Sequence, residues 1–196
     1  LVLVVIVSGL APNVGNRAYA SSGAYAGPHG SSAFVMLVKT DNSGSSNSSQ
    51  FTIPTNGSGY NYSVDCNDDG SFDAAGQTGN YTCTYGSPGT YSVAIQGSFP
   101  RIFFNNSGDR QKLLEIQQWG NIAWSSMQLA FFGTSNMQIT ATDTPNLSNV
   151  TSMQHMFNSA TTMNANLNNW NVSNVNDWVR RAIRVRFLPS AVPSTL

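Results

Sequence analysis

The chain has 196 residues, enough for one medium domain or two small ones with a real core. Apolar residues make up 40% of it, as in a globular protein, but charged residues only 9% with a formal net charge of zero. That balance excludes the basic footprint of a nucleic-acid binder and leaves Asn, Ser, Thr and Gly to supply the polarity, through many weak hydrogen bonds.

The opening LVLVVIVSGLAP reads as the apolar heart of a secretory signal, followed by two A-x-A sites, Ala18-Tyr19-Ala20 and Ala24-Tyr25-Ala26. The run is too short to span a bilayer, and a buried first strand is the alternative. It begins at Leu1 without Met or a basic flank, as a chain clipped at its start would. Residues 1–31 are therefore expected to be a signal-like segment and linker, giving a secreted or surface-displayed product with no membrane span in the mature chain.

From 32 to 104 short strands are punctuated by turns. The predicted strands are 34–39, 50–53, 60–64, 80–85, 90–96 and 101–104, and Tyr91, Val93 and Ile95 share one face. This number and spacing of strands predicts a β-sandwich. Cys66 and Cys83 lie in strand-like segments, and an even pair in an exported chain reads as a disulfide. Two free thiols or a redox pair are the alternatives. Between them, Asp65, Asn67, Asp69 and Asp73 alternate around Gly70 like the first half of a calcium loop. Gly76 stands where such a loop places its bidentate Glu, so an acidic hairpin tip in water is the competing reading.

Tyr85-Gly-Ser-Pro-Gly89-Thr-Tyr91-Ser-Val93 resembles the Y-x-x-x-G-x-Y-x-V signature of the polycystic-kidney-disease (PKD) domain, an immunoglobulin-like extracellular sandwich. SVDCNDDG at 63–70 sits where that family carries W-D-F-G-D-G. The Trp is missing, the turn is longer, and Cys66 and Cys83 stand at positions that are usually aromatic and His.

Beyond 104 the chain repeats. Trp124, Met127, Phe131 and Met137 align with Val150, Met153, Phe157 and Met163, and then with Val175 and Trp178, at intervals of 25 or 26 residues. The first three positions of each copy are i, i+3 and i+7, one face of a two-turn helix, with Asn149, Thr151 and Asn174 as caps. The spacing then changes to two at Met137, Ile139, Ala141 and at Met163, Ala165, Leu167, which predicts a short strand. PNLSNVTSMQHMFNSA and the later NLNNWNVSNV resemble the BspA-type leucine-rich-repeat surface proteins, with Asn171 where that family usually has Asp. The resemblance implies a protein that binds other proteins, or host and neighbouring cells.

The expected fold is thus mainly β with short helices: a PKD-like sandwich at 32–104, then a leucine-rich-repeat-type β/α solenoid at 105–178. A tail at 179–196 follows, holding four of the nine basic residues, and it reads either as a membrane- or nucleic-acid-binding segment or as a truncated or frame-shifted end. His29 and His155 lie far apart, Glu115 is the only Glu, and no nucleophile elbow or phosphate loop occurs, so no catalysis is expected. Trp119, Trp124 and Trp170 could stack on sugars, but they share the apolar columns of the repeats and are expected in the core. The functional expectation is a secreted or surface adhesion protein. Its partners would be extracellular proteins or glycans on host or neighbouring cells, with no cofactor beyond calcium. The alternatives are a structural spacer and a carbohydrate-binding accessory module.

Overall fold

The computed structural model describes residues 27–177; the signal-like run, Trp178 and the basic tail lie outside the described residues. Eight strands form: β1 (Phe34–Lys39), β2 (Gln50–Ile53), β3 (Asn61–Asp65), β4 (Ala74–Gln77), β5 (Tyr81–Thr84), β6 (Thr90–Ser98), β7 (Leu113–Gln118) and β8 (Gln138–Ile139). Six make one sheet in the order β4-β3-β6-β1-β7-β8, and β2 and β5 make a second. Among the described residues the strand pairings are antiparallel except β7 with β8, which is parallel, as are the isolated bridges Ala123–Asn146 and Ser152–Asp177.

Pattern explains placement. β1 is an unbroken apolar run because it is central and covered on both faces. Phe34, Met36 and Val38 point into the main core, while Val35 joins Ala33 and Ala94 in a small second cluster. Edge strand β4, by contrast, is half exposed and nearly featureless. In the main core, Phe34, Tyr62, Phe99, Trp119 and Trp124 form a chain of stacked and edge-on ring contacts at centroid distances of 4.9–6.5 Å. Such geometry adds to the area each ring buries. Gly120, at φ +63, lies so close to the Ala33 carbonyl that any Cβ there would collide with it.

The expected architecture needs correcting. Among the described residues no β/α solenoid forms, and the strands of 32–104 are not a separate unit ahead of one. β7 pairs antiparallel with β1, so the large sheet runs on past residue 104, while 101–104 is not a strand. Among the described residues the main apolar core is continuous from Phe34 to Val175. The predicted helices are absent: 127–133 and 153–159 are runs of open turns.

The reason lies in the backbone. Leu129 and His155, 26 residues apart, adopt φ of +59° and +55°, which breaks a right-handed helix after one turn. The N–H groups then bond outward. Met127, Leu129, Phe131 and Gly133 donate to the carbonyls of Ser152, Gln154, Met156 and Asn158, at 2.8–3.1 Å. Phe104 and Asn106 donate likewise to Ala130 and Phe132. The interval of 25 or 26 residues thus marks turns that hydrogen-bond to their successors. Two-turn segments rich in Asn, Ser and Thr are too short and too poor in helix formers to compete with that ladder.

Left-handed positions are testable. Ser159 is exposed at φ +58°, so Ser159→Gly relieves strain and is expected to raise stability by up to about 1 kcal/mol, whereas Ser159→Val lowers it. Chemical denaturation decides; a Gly variant less stable than the parent would refute the strain argument.

Alkali gives a second test. Burial pushes the Tyr62 and Tyr85 hydroxyls well above their ordinary value of 10.0, and they donate to the carbonyls of Gly79 (2.6 Å) and Cys66 (2.8 Å). A group raised in the folded state stabilises fully below its unfolded value and loses that contribution as pH climbs toward its folded one. Unfolding should therefore set in above pH 10, with tyrosinate absorbance and near-ultraviolet circular dichroism changing together. Ionisation of all seven tyrosines near pH 10 in a fold that stays intact would contradict it.

Candidate functional site

The β3–β4 turn holds the predicted calcium residues. Asp65, at the end of β3, is fully buried, and its carboxylate accepts the N–H groups of Asn67 (3.2 Å) and Gly70 (2.8 Å). Asp69 accepts the Ser71 N–H at 2.9 Å and the Asn67 side-chain amide at 3.1 Å. Asp73 reaches back to the Cys66 N–H at 2.7 Å. These three carboxylates hold the turn in shape by bonding its own backbone, the usual local work of Asp in such turns.

His29 is the residue the sequence reading passed over as linker. The segment ahead of β1 crosses the turn, and the His29 Nε2 lies 2.8 Å from Asp65 Oδ2, with the two side chains 8% and 0% exposed. Phe72, the large apolar residue most open to solvent among those described, stacks on the imidazole at 4.6 Å and 17°. The Asp68 carboxylate completes a group with His29 and Asp65 in which the three ligand atoms all lie within 4.8 Å of one another. Nothing local in the sequence signals this group, because His29 is 36 residues from Asp65.

Cys66 and Cys83 are joined by a disulfide, with Cα atoms 5.6 Å apart, linking the end of β3 to β5 in the other sheet. The Tyr85 hydroxyl donates to the Cys66 carbonyl and its ring stacks on Tyr91 at 3.7 Å, so the two tyrosines brace the bridge.

A second concave region, about 460 Å³, opens beside β7 and is lined by Ser31, Gln117, Gln118, Asn121 and Asp143. Both Asp143 oxygens accept the backbone N–H of Trp119, at 3.0–3.1 Å, and one also takes that of Gly120 at 2.8 Å. Asp143 is therefore engaged in fixing the strand end. Glu115, the sole Glu, meets the Gln117 amide at 3.4 Å.

The coil edge carries amides. Gln128 donates to Gln154 Oε1 at 3.0 Å, Gln138 donates to the Thr162 carbonyl, and Asn174 to the Ser148 carbonyl at 2.7 Å. These bonds span 24 to 26 residues, about one repeat interval, so the polar repetition knits successive turns together. Trp119 and Trp124 are fully buried and Trp170 is 8% exposed, which removes all three as stacking platforms for sugars. Their rings face one another edge-on, Trp119 meeting Trp170 at 5.1 Å and 88°. Among the described residues the indole N–H groups of Trp119 and Trp124 have no hydrogen-bond acceptor, and neighbouring aromatic faces are what surround them. His155 sits at its left-handed turn 6.4 Å from the Phe132 ring. Among the described residues no helix is long and apolar enough to cross a membrane.

Residues 98–181 match a family model described as a Mycoplasma protein of unknown function, DUF285. No curated protein and no solved structure matches the chain. The match overturns the resemblance to BspA-type leucine-rich repeats: the region carrying the repeats is similar to this other family, and nothing supports a leucine-rich repeat. The residues behind the resemblance were real, but they encode stacked turns with a shared apolar column, a pattern that unrelated repeats also need.

Proposed function

We propose that the chain is an exported, non-enzymatic interaction module that binds extracellular proteins or glycans through shape and hydrogen bonds. The observation that carries this reading is the Cys66–Cys83 disulfide, since such bonds form and persist in oxidising compartments. The composition supports it as well, since Asn, Ser, Thr and Gly supply polarity with only 9% charged residues.

The expected signature is salt indifference. Contacts between neutral groups are barely screened, so affinity for a captured partner should change less than about twofold between 0.05 and 0.5 M salt. The oxidised chain, screened on an array of matrix proteins and glycans, is expected to give saturable binding that reduction and unfolding abolish. A steep fall with salt would point to charge-driven recognition instead. A folded chain that binds nothing on the array would favour the spacer reading, to which the self-bonded coil edge also lends support.

A further inference from the structure

We propose that His29, Asp65 and Asp68 form a binding site for one divalent transition-metal ion of the zinc class, which ties the segment ahead of β1 to the β3–β4 turn. The ligand set is mixed, one imidazole nitrogen and two carboxylates, all within 4.8 Å of one another. Imidazole with carboxylate suits zinc and its neighbours, whereas calcium takes six to eight oxygens. The acids that would have to complete a calcium shell are committed elsewhere, Asp69 to Ser71 and Asn67, Asp73 to Cys66. Of the four residues expected to bind calcium, only Asp65 belongs to this group, joined by His29 and Asp68.

The geometry needs little change. His29 Nε2 and Asp65 Oδ2 are 2.8 Å apart. Around a tetrahedral zinc ion with bonds of about 2.0–2.1 Å, two ligand atoms stand about 3.3–3.4 Å apart. The pair therefore opens by roughly half an ångström, and Asp68 closes onto the ion. Facing an ionised Asp65, which can only accept, Nε2 carries the hydrogen of this bond; on binding, Nε2 gives that hydrogen up while Nδ1 holds one, so that the ring stays a neutral imidazole and the Nε2 lone pair goes to the metal.

The surroundings are already organised. Asp65 is held by two backbone N–H groups, which fix its orientation as supporting shells do at metal centres. His29 is covered by Phe72, and Pro28 packs over Gly70, where a Cβ would come within 3.1 Å of the proline. The left-handed backbone of Asp68, φ +53°, is what returns its side chain toward Asp65.

The test is a titration of the chelator-treated oxidised chain with Zn²⁺, followed by calorimetry and thermal melting. One ion per chain is expected, with a midpoint that rises by several degrees at a hundredfold excess over Kd. His29→Asn and Asp68→Asn should each weaken binding at least about tenfold, while His155→Ala, at the other histidine, leaves it unchanged. Asn adopts the left-handed region readily, so Asp68→Asn keeps the turn and remains informative even where the His29 variant unfolds. Absence of saturable binding, parental affinity in Asp68→Asn, or a larger response to Ca²⁺ than to Zn²⁺ would each overturn the proposal.

Discussion

Replacing Lys112 with methionine is expected to destabilise the fold by about 3–5 kcal/mol, although the substitution keeps the length of the side chain and lies outside every predicted site. The Lys112 and Asp109 side chains are 1% and 0% exposed, with Nζ 3.9 Å from Oδ1. The ammonium donates to the Ser46 hydroxyl (2.7 Å) and to the carbonyls of Ser46 (3.1 Å), Asn47 (2.7 Å) and Gln50 (2.9 Å). Asp109 in turn accepts the N–H of Ser46 (2.9 Å), the Ser46 hydroxyl (2.6 Å) and the N–H of Thr52 (2.7 Å).

Together the two charges hold the polar loop between β1 and β2 against the start of β7. Burial lowers the Lys112 pKa, with Asp109 and then Asp41 opposing that shift, and the oxygen shell stands in for the water that the ammonium gives up. Methionine leaves the carbonyls without their donor and the carboxylate without its countercharge. A buried pair broken on one side loses more than a pair replaced on both. The double variant Asp109→Asn/Lys112→Met should therefore be destabilised by clearly less than the sum of the two singles, a coupling that urea denaturation of all four proteins measures. Equal and additive losses, or a Lys112→Met effect below about 1 kcal/mol, would show that the shell closes without the ammonium.

Neither Lys112 nor His29 was legible as a structural residue, and the reason is the same in both. The oxygens that accept from Lys112 lie 62–66 residues away and the partner of His29 lies 36 away, and no local pattern encodes a contact of that range. β3, β5 and β6 were legible to within a residue or two, because alternate residues such as Tyr62 and Val64, or Val93 and Ile95, face the main core, while Ala94 joins the second cluster. β7 was not. Its buried residues Leu113 and Ile116 are three apart, since register shifts against β1 interrupt the period of two, and a spacing of three reads as repeat or helix. The helical expectation for 124–131 and 150–157 failed on the same ambiguity. Residues at i, i+3 and i+7 mark one face of a helix, but also successive inward corners of open turns. The deciding feature was a positive φ at Leu129 and at His155, residue types that do not advertise it. At the metal candidate, Asp65 was legible from the turn, but His29 was hidden by its Gly- and Ser-rich neighbours.

Reduction of the Cys66–Cys83 bridge should lower stability by about 3 kcal/mol, and the melting midpoint by roughly 6–12 °C for a chain of this size. The two cysteines are 17 residues apart in sequence, and in the chain-entropy account closing a loop of that length removes freedom from the unfolded ensemble rather than adding a contact to the native one. The site also concentrates the effect. β5 pairs only with the four-residue β2 in the small sheet, and the bridge fastens it to β3 in the large one. Cys83 is fully buried, so small apolar replacements keep the interior dry. A Cys66→Ala/Cys83→Ala variant is thus expected to retain the parental near-ultraviolet spectrum, to melt near the reduced parent, and to ignore dithiothreitol. Hydrogen exchange should accelerate first in β2 and β5, the small sheet that loses its tether. Were reductant to shift the parent by less than about 1 °C, the bridge would contribute nothing that the packing of Phe51, Ile53 and Tyr85 does not already supply, and the argument for an oxidising compartment would lose its thermodynamic basis.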